Sequence, residues 1–150
     1  LFRSMSMNFV SQILKNKGDK IWSIAPHETA YKALQIMSEK NFGCLLVIDK
    51  GKAVGIFTER DYSRKVILKG KSSKTTPVSE LMTKEVLFVD PGTSVEDCMA
   101  LMIEKCVRHL PVMENKKLVG LVTVGDVVKQ LLVDQKFKIQ ELERYLHEEC

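Results

Sequence analysis

This chain encodes an α+β fold made of two copies of one β-α-β-β-α unit, and three features say so. Displaced by 65 residues, the sequence aligns with itself without a gap: SIAPHETAYKALQIMSEKNFGCLLVIDKGKAVGIFTERDYSRKVI, from Ser23, lies over FVDPGTSVEDCMALMIEKCVRHLPVMENKKLVGLVTVGDVVKQLL, from Phe88. Within each copy, apolar residues recur first at helical spacing and then in short runs of strand length. GIFTERD, Gly55 to Asp61, returns as GLVTVGD, Gly120 to Asp126, each time where a strand hands over to a helix.

The elements follow in order. Residues 1–22 form a leading segment with a short helix and a linker; FVSQIL within it matches PVSELM ahead of the second copy, with three extra residues in the first. The first repeat spans 23–68. A short extended segment ends at Pro26, and a helix follows with Ala30, Ala33, Leu34 and Met37 on its apolar stripe. The strand CLLVI, the charged turn DKGK and the strand AVGIFT come next, and a second helix starts at Glu59. The polar stretch 69–77, containing GKSSKTTP, links the halves. The second repeat, 78–133, runs the same way: an extended segment to Pro91, then SVED as a capping box that starts a helix with Val95, Met99, Met102 and Ile103 at helical spacing. HLPVM, ENKK and LVGLVT follow, with a helix from Val124. Residues 134–150 read as a separate amphipathic helix, Ile139, Leu142 and Leu146 on one stripe with Tyr145 beside it, expected either to pack on the body of the protein or to form part of a partner contact. A two- or three-stranded sheet needs cover on both faces. The halves are therefore expected to pack sheet to sheet about a pseudo-two-fold axis into one joint core.

Composition excludes several classes. The chain is 45% hydrophobic and 28% charged, as in ordinary globular domains, and no apolar run approaches the roughly 20 residues of a membrane span. A net charge of +4 is too small to argue for nucleic acid. The four cysteines, Cys44, Cys98, Cys106 and Cys150, form no CxxC pair and read as reduced, mostly buried thiols of a reducing intracellular compartment. Cys106 and His109 lack a second ligand pair, so no metal site is expected. The mitochondrion and the cytoplasm both satisfy these constraints. The basic, acid-free start is either the tail of an organelle transit peptide or an ordinary leading segment.

The repeated motif has two readings. Thr58 with Asp61, and Thr123 with Asp126, are each an N-cap with an acid at the third helical position, so capping explains both pairs. It does not explain Gly55 and Gly120, because a glycine inside a strand implies a bend or something close to the backbone. In the second reading the glycine admits a flat group. The threonine and the helix start then meet a phosphate, and the carboxylate accepts two hydrogen bonds from a ribose diol. Arg60 adds positive charge to the first motif, where the second has Gly125. That contrast predicts unequal sites, the first favouring more highly charged ligands.

The doubled Gly-hydrophobic-x-Thr-x-x-Asp, with the preceding proline, helix and RHLPV strand and with TERDYSRK in the first copy, resembles the CBS domain, named after cystathionine β-synthase. Two in tandem form a Bateman module, and the resemblance covers about Val10 to Leu132. It implies a non-catalytic regulatory module that binds adenosyl ligands in clefts between the repeats: AMP foremost, or ADP, ATP, NAD(H) or S-adenosylmethionine. It implies Asp61 and Asp126 at the ribose and Thr58 and Thr123 at the phosphates. Gly43 and Cys44 would lie against the base, with Val107, Arg108 and His109 in the corresponding place of the second repeat and Arg108 and His109 toward phosphate. It also implies a homodimer through helices, and a regulated protein partner that the sequence does not name. His109 is equally readable as a hydrogen-bonded edge residue, and Trp22 either packs or stacks on a base.

Two other classes compete. A nucleotide-processing enzyme would need a nucleophile or base with partners. GKSS at Gly70 ends like a P-loop, but Lys65 stands where that motif requires glycine, and HEEC at His147 is not HExxH. A nucleic-acid binder would draw on the lysines of KGKSSK, yet no aromatic platform accompanies them.

Overall fold

The structure, a computed structural model, describes residues 8–18 and 20–149. In chain order its helices and strands are α1 (Val10–Lys17), β1 (Ser23–Ile24), α2 (Ala30–Lys40), β2 (Cys44–Asp49), β3 (Lys52–Thr58), α3 (Glu59–Tyr62), α4 (Val95–Lys105), β4 (His109–Glu114), β5 (Lys117–Thr123) and α5 (Val124–Glu149). A π-helical segment, Ser63–Ile67, continues α3, and a short 3-10 helix covers Val78–Glu80. Mixed helix and strand, twice over, is the fold class expected.

Two compact units result, and they do not divide at the linker. One unit is Ile21–Leu87; the other joins the described residues up to Lys20 to those from Phe88 onward. These units cut across the repeat boundaries expected at 22/23 and 77/78. Each repeat's leading segment belongs to the unit that holds the other repeat's strands. Val78 and Leu81, ahead of the second repeat, are fully buried in the first unit's core with Leu45, Val47 and Phe57. Val10 and Ile13, ahead of the first repeat, are buried in the composite unit, where α1 lies against β5 and α5. A leading helix of three to eight residues is too short to be stable alone and is held by such packing.

In the Ile21–Leu87 unit the sheet order is β1-β2-β3, with β1 parallel and β3 antiparallel to β2. Thr29 caps α2 by accepting from the Lys32 N–H at 3.2 Å. Further N–H groups of its first turn reach the linker, Ala30 to the Thr76 carbonyl and Tyr31 to that of Ser73. The linker is thus part of this unit. Trp22 packs against the core.

Among the described residues the composite unit has only β4 and β5 as a sheet, with Val89 making an isolated parallel bridge to Val112. The missing strand has a cause in one residue. In the first unit the Leu46 N–H donates to the Trp22 carbonyl at 3.0 Å. Pro111 takes the place of Leu46 and has no N–H to give. Ser94 caps α4 by accepting from the Asp97 N–H. Val95, Cys98 and Met102 are buried, whereas Ile103 is 69% exposed, against the stripe expected.

The second helices differ most. In the first unit α3 has four residues before the π-helical segment, while α5 runs without a break for 26. No separate helix begins at residue 134. After Gly125 the segment has neither glycine nor proline to stop it. Ile139 and Leu142 are 53% and 51% exposed, so that stripe does not pack on the body; the side chains of Tyr145 and Leu146 lie outside the described residues. Among the described residues no helix is long and apolar enough to cross a membrane. Cys44 and Cys98 are buried, but Cys106 is exposed, because it sits at the C-cap of α4 in the left-handed conformation, φ 55°.

Candidate functional site

Gly55 and Gly120 show how each motif is shaped. Val47 pairs with Gly55 but Ile48 with Ala53, so Val54 bulges just before the glycine; Val119 does the same before Gly120. Something does approach the backbone there, and it is protein. A Cβ on Gly55 would stand 2.5 Å from Met82 Sδ and 3.0 Å from the Thr83 carbonyl oxygen. A Cβ on Gly120 would stand 2.5 Å from Leu14 Cδ2. Leu14 and Met82 are the matching last residues of FVSQIL and PVSELM. The flat group expected over each glycine is therefore replaced by the exchanged leading segment.

The Thr–Asp pairs sit at the strand–helix junctions β3–α3 and β5–α5, and both are complete capping boxes. Thr58 Oγ1 accepts from the Asp61 N–H at 3.1 Å, and Asp61 Oδ2 accepts from the Thr58 N–H at 3.0 Å. Thr123 and Asp126 repeat this at 3.1 and 2.9 Å. Capping thus operates at both, and leaves each threonine O–H still able to donate. The carboxylates remain partly open, at 14% exposure for Asp61 and 19% for Asp126.

Each carboxylate also meets a lysine that sequence reading missed. Lys65 Nζ lies 3.3 Å from Asp61 Oδ1 and donates to the Leu81 carbonyl at 2.9 Å. This i,i+4 pair was visible in TERDYSRK. Lys17 Nζ donates to Asp126 Oδ2 at 2.7 Å and to the Leu121 carbonyl at 3.1 Å. It comes from 109 residues away, and no local signal could have found it. Its route is the length of the first leading segment. In the first unit the chain leaves its short 3-10 helix at once, and Thr83 exchanges backbone hydrogen bonds with Ile56 at 2.9 and 3.0 Å. The composite unit's segment is three residues longer, α1 continues, and the Lys17 ammonium reaches the carbonyl of Leu121, the counterpart of Ile56.

The other candidates divide by exposure. Gly43 immediately precedes β2, which Cys44 opens, and Cys44 pairs with Thr58. The Glu59 carboxylate covers Gly43, since a Cβ there would stand 2.8 Å from its Oε1. Cys44 is 1% exposed, and burial, aided by the charge of Asp61, pushes its thiol up to about 12. Only its backbone can meet a ligand. Val107 and Arg108 lead into β4, which His109 opens; the Arg108 carbonyl accepts from the Val124 N–H, and His109 pairs with Thr123. Arg108 is exposed and Val107 and His109 are half-buried. Burial lowers the His109 pKa, the charges of Lys17 and Arg108 lower it further, and Asp126 opposes them. Burial pushes the Asp126 carboxyl up, but the Lys17 hydrogen bond and charge, with the two bonds from Thr123, hold it below the ordinary range. Arg60 is exposed at the start of α3. Lys17, Arg108 and His109 thus gather near Asp126, while Glu59 adds a negative charge beside Asp61. Among the described residues no group of three His, Cys, Asp or Glu is placed to hold a metal.

Residues 10–67 and 78–133 each match the family model of the CBS domain. The chain is 38% identical to the mitochondrial CBS domain-containing protein CBSX3 of Arabidopsis thaliana over 146 residues, covering 91% of this chain and 71% of that one. Among solved structures it resembles a protein with CBS domains from Burkholderia ambifaria, with 48% identity and a TM-score of 0.82, covering 85% of this chain and 96% of the other. The hexameric CBS-CP12 protein of bloom-forming cyanobacteria is more distant, at 30% identity and a TM-score of 0.72, covering 80% of this chain and 69% of that one.

Proposed function

The chain belongs to the CBS-domain family, carrying two such repeats, and from that premise we propose that it is a non-catalytic sensor. Each Thr–Asp pair binds the ribose and phosphate of an adenosyl nucleotide, AMP foremost, and the bound state is relayed to a partner protein. The observation that carries this reading is the same partly open carboxylate and donor-capable hydroxyl presented at both strand–helix junctions. A carboxylate accepts both hydroxyls of a diol through charge-assisted bonds. Binding fits better than turnover, because the thiol beside Asp61 is buried and held protonated near neutral pH. Relay requires only that the ligand prefer one arrangement of the partner-binding surface over another.

Oligomeric relatives such as the hexameric cyanobacterial protein support self-association. The exposed apolar residues Ile103 of α4 and Val128 and Leu132 of α5 supply a surface for a homodimer. The mitochondrial setting of the Arabidopsis protein makes that compartment the one to test first by fractionation.

Isothermal titration with AMP, ATP, NADH and S-adenosylmethionine tests the sensor, and light scattering of the same sample gives its mass. Saturable binding that falls by one site in Asp61→Ala and by the other in Asp126→Ala is the expected result. No heat from folded, nucleotide-free protein would reduce the Thr–Asp pairs to helix caps.

A further inference from the structure

Lys17 already holds the carboxylate that an adenosyl ligand would need. It reaches Asp126 Oδ2 at 2.7 Å from a helix more than a hundred residues away, and its side chain is only 24% exposed. A ribose diol that spans both oxygens of Asp126 must therefore displace Lys17 from Oδ2 and leave its mostly buried ammonium beside Arg108 and His109. Such a cost is recovered only if the ligand brings an anion of its own. Resting on the sensor reading above, we propose that Lys17 acts as an exchangeable counter-ion that makes the Asp126 site selective for phosphate-bearing adenosyl ligands. The diol takes the carboxylate and the phosphate takes the ammonium.

Three features of the site support the exchange. The ammonium keeps a second acceptor, the Leu121 carbonyl at 3.1 Å, so it can stay anchored while it changes anion. The Thr123 hydroxyl accepts from the Asp126 N–H, and its single rotatable proton, directed to the Asp126 carboxyl, can turn to an incoming anion. Arg108 and His109 stand at the start of the paired strand, His109 opposite Thr123. The Asp61 site is built otherwise. Its lysine lies one turn along from the carboxylate at a longer 3.3 Å, and the Glu59 carboxylate lies over Gly43. Arg60 against Gly125 had suggested that the first site is the one for highly charged ligands. With Lys17 in place the order reverses, and phosphate selectivity falls to the Asp126 site. Ligands without phosphate fare worse there: adenosine brings no anion, and S-adenosylmethionine, with a sulfonium and an ammonium against one carboxylate, brings a net positive charge.

The test uses the full chain carrying Asp61→Ala, so that only the Asp126 site reports, titrated with adenosine, AMP and ATP. Affinity is expected to rise from adenosine to ATP by at least ~10-fold, the size of one charge-assisted hydrogen bond. Lys17→Gln should tighten adenosine and weaken ATP, so that the preference collapses. Lys17→Arg should keep it with an unshifted melting curve, which separates loss of the charge from loss of the fold. Equal weakening of adenosine and ATP by Lys17→Gln, or no change in either, overturns the counter-ion role while leaving the sensor intact. If no adenosyl ligand binds the Asp61→Ala chain or the unsubstituted protein, the sensor reading itself fails and this inference with it.

Discussion

His109 and Asp126 lie close enough to share Lys17, and both make the protein acid-sensitive. Burial, with Lys17 and Arg108, lowers the His109 pKa from its ordinary 6.5, so the unfolded chain takes up that proton first. Stability from this group is complete above pH 6.5 and is lost as pH falls through the lower, folded value. Asp126 is depressed from 3.8 by Lys17 and Thr123 against the opposing effect of burial, so its contribution holds above 3.8 and is lost below, as the folded carboxyl protonates. Urea midpoints measured against pH should show the two losses in that order. His109→Asn should remove the first loss alone and Asp126→Asn the second. An unchanged profile in His109→Asn would mean that the imidazole is no more burdened in the fold than in the unfolded chain.

The two hairpins show how one element can be built with unequal turn chemistry. Lys50 and Gly51 have φ of 51° and 81°, and Asn115 and Lys116 have 51° and 65°. Two successive positive φ values make a type I′ turn, which suits the right-handed twist of the strands it joins. The first hairpin has glycine at the second position; the second has asparagine at the first and forces a lysine to follow it. A side chain in the left-handed region costs about 1–2 kcal/mol. Lys116→Gly, which creates Asn-Gly, should therefore stabilise the protein by about 1 kcal/mol after the extra flexibility of glycine is charged against it. Urea unfolding measures it, and a loss of stability would show that the Lys116 side chain has a role outweighing the turn.

The exchange of leading segments governs how the molecule holds together. The Ile21–Leu87 unit needs Val78 and Leu81, which follow the linker, and the composite unit needs Val10 and Ile13, which precede the first repeat. Each of these side chains is worth about 1.5–3 kcal/mol of burial, a large share of a small domain's stability of about 5–15 kcal/mol. A chain cut inside the linker, between Ser72 and Ser73, yields two fragments that each lack part of both cores. Neither should show a cooperative melt by circular dichroism. Mixed at equal concentration, they should recover one, because together they supply both units. A fragment that melts cooperatively alone would show that its repeat does not depend on the borrowed helix.

Local chemistry was enough to reveal the repeat, the order of strands and helices and the two capping boxes, because each rests on residues at most a few positions apart. Thr58 with Asp61 and Thr123 with Asp126 are set by one helical turn and recur wherever that turn forms. The resemblance to CBS domains rested on the same short spacings. Pro111 stands in the RHLPV strand of the sequence, but its consequence, a strand reduced to a bridge, needed the partner carbonyl to be located. The rest was decided by contacts distant in sequence. That Leu14 and Met82 would fill the space above Gly120 and Gly55, that α1 would join the second repeat, and that Lys17 would find Asp126 depend on which surfaces bury one another. Hydrophobic burial is non-directional and has no fixed spacing along the chain. It therefore leaves no periodic mark by which a leading segment can be matched to its distant partner.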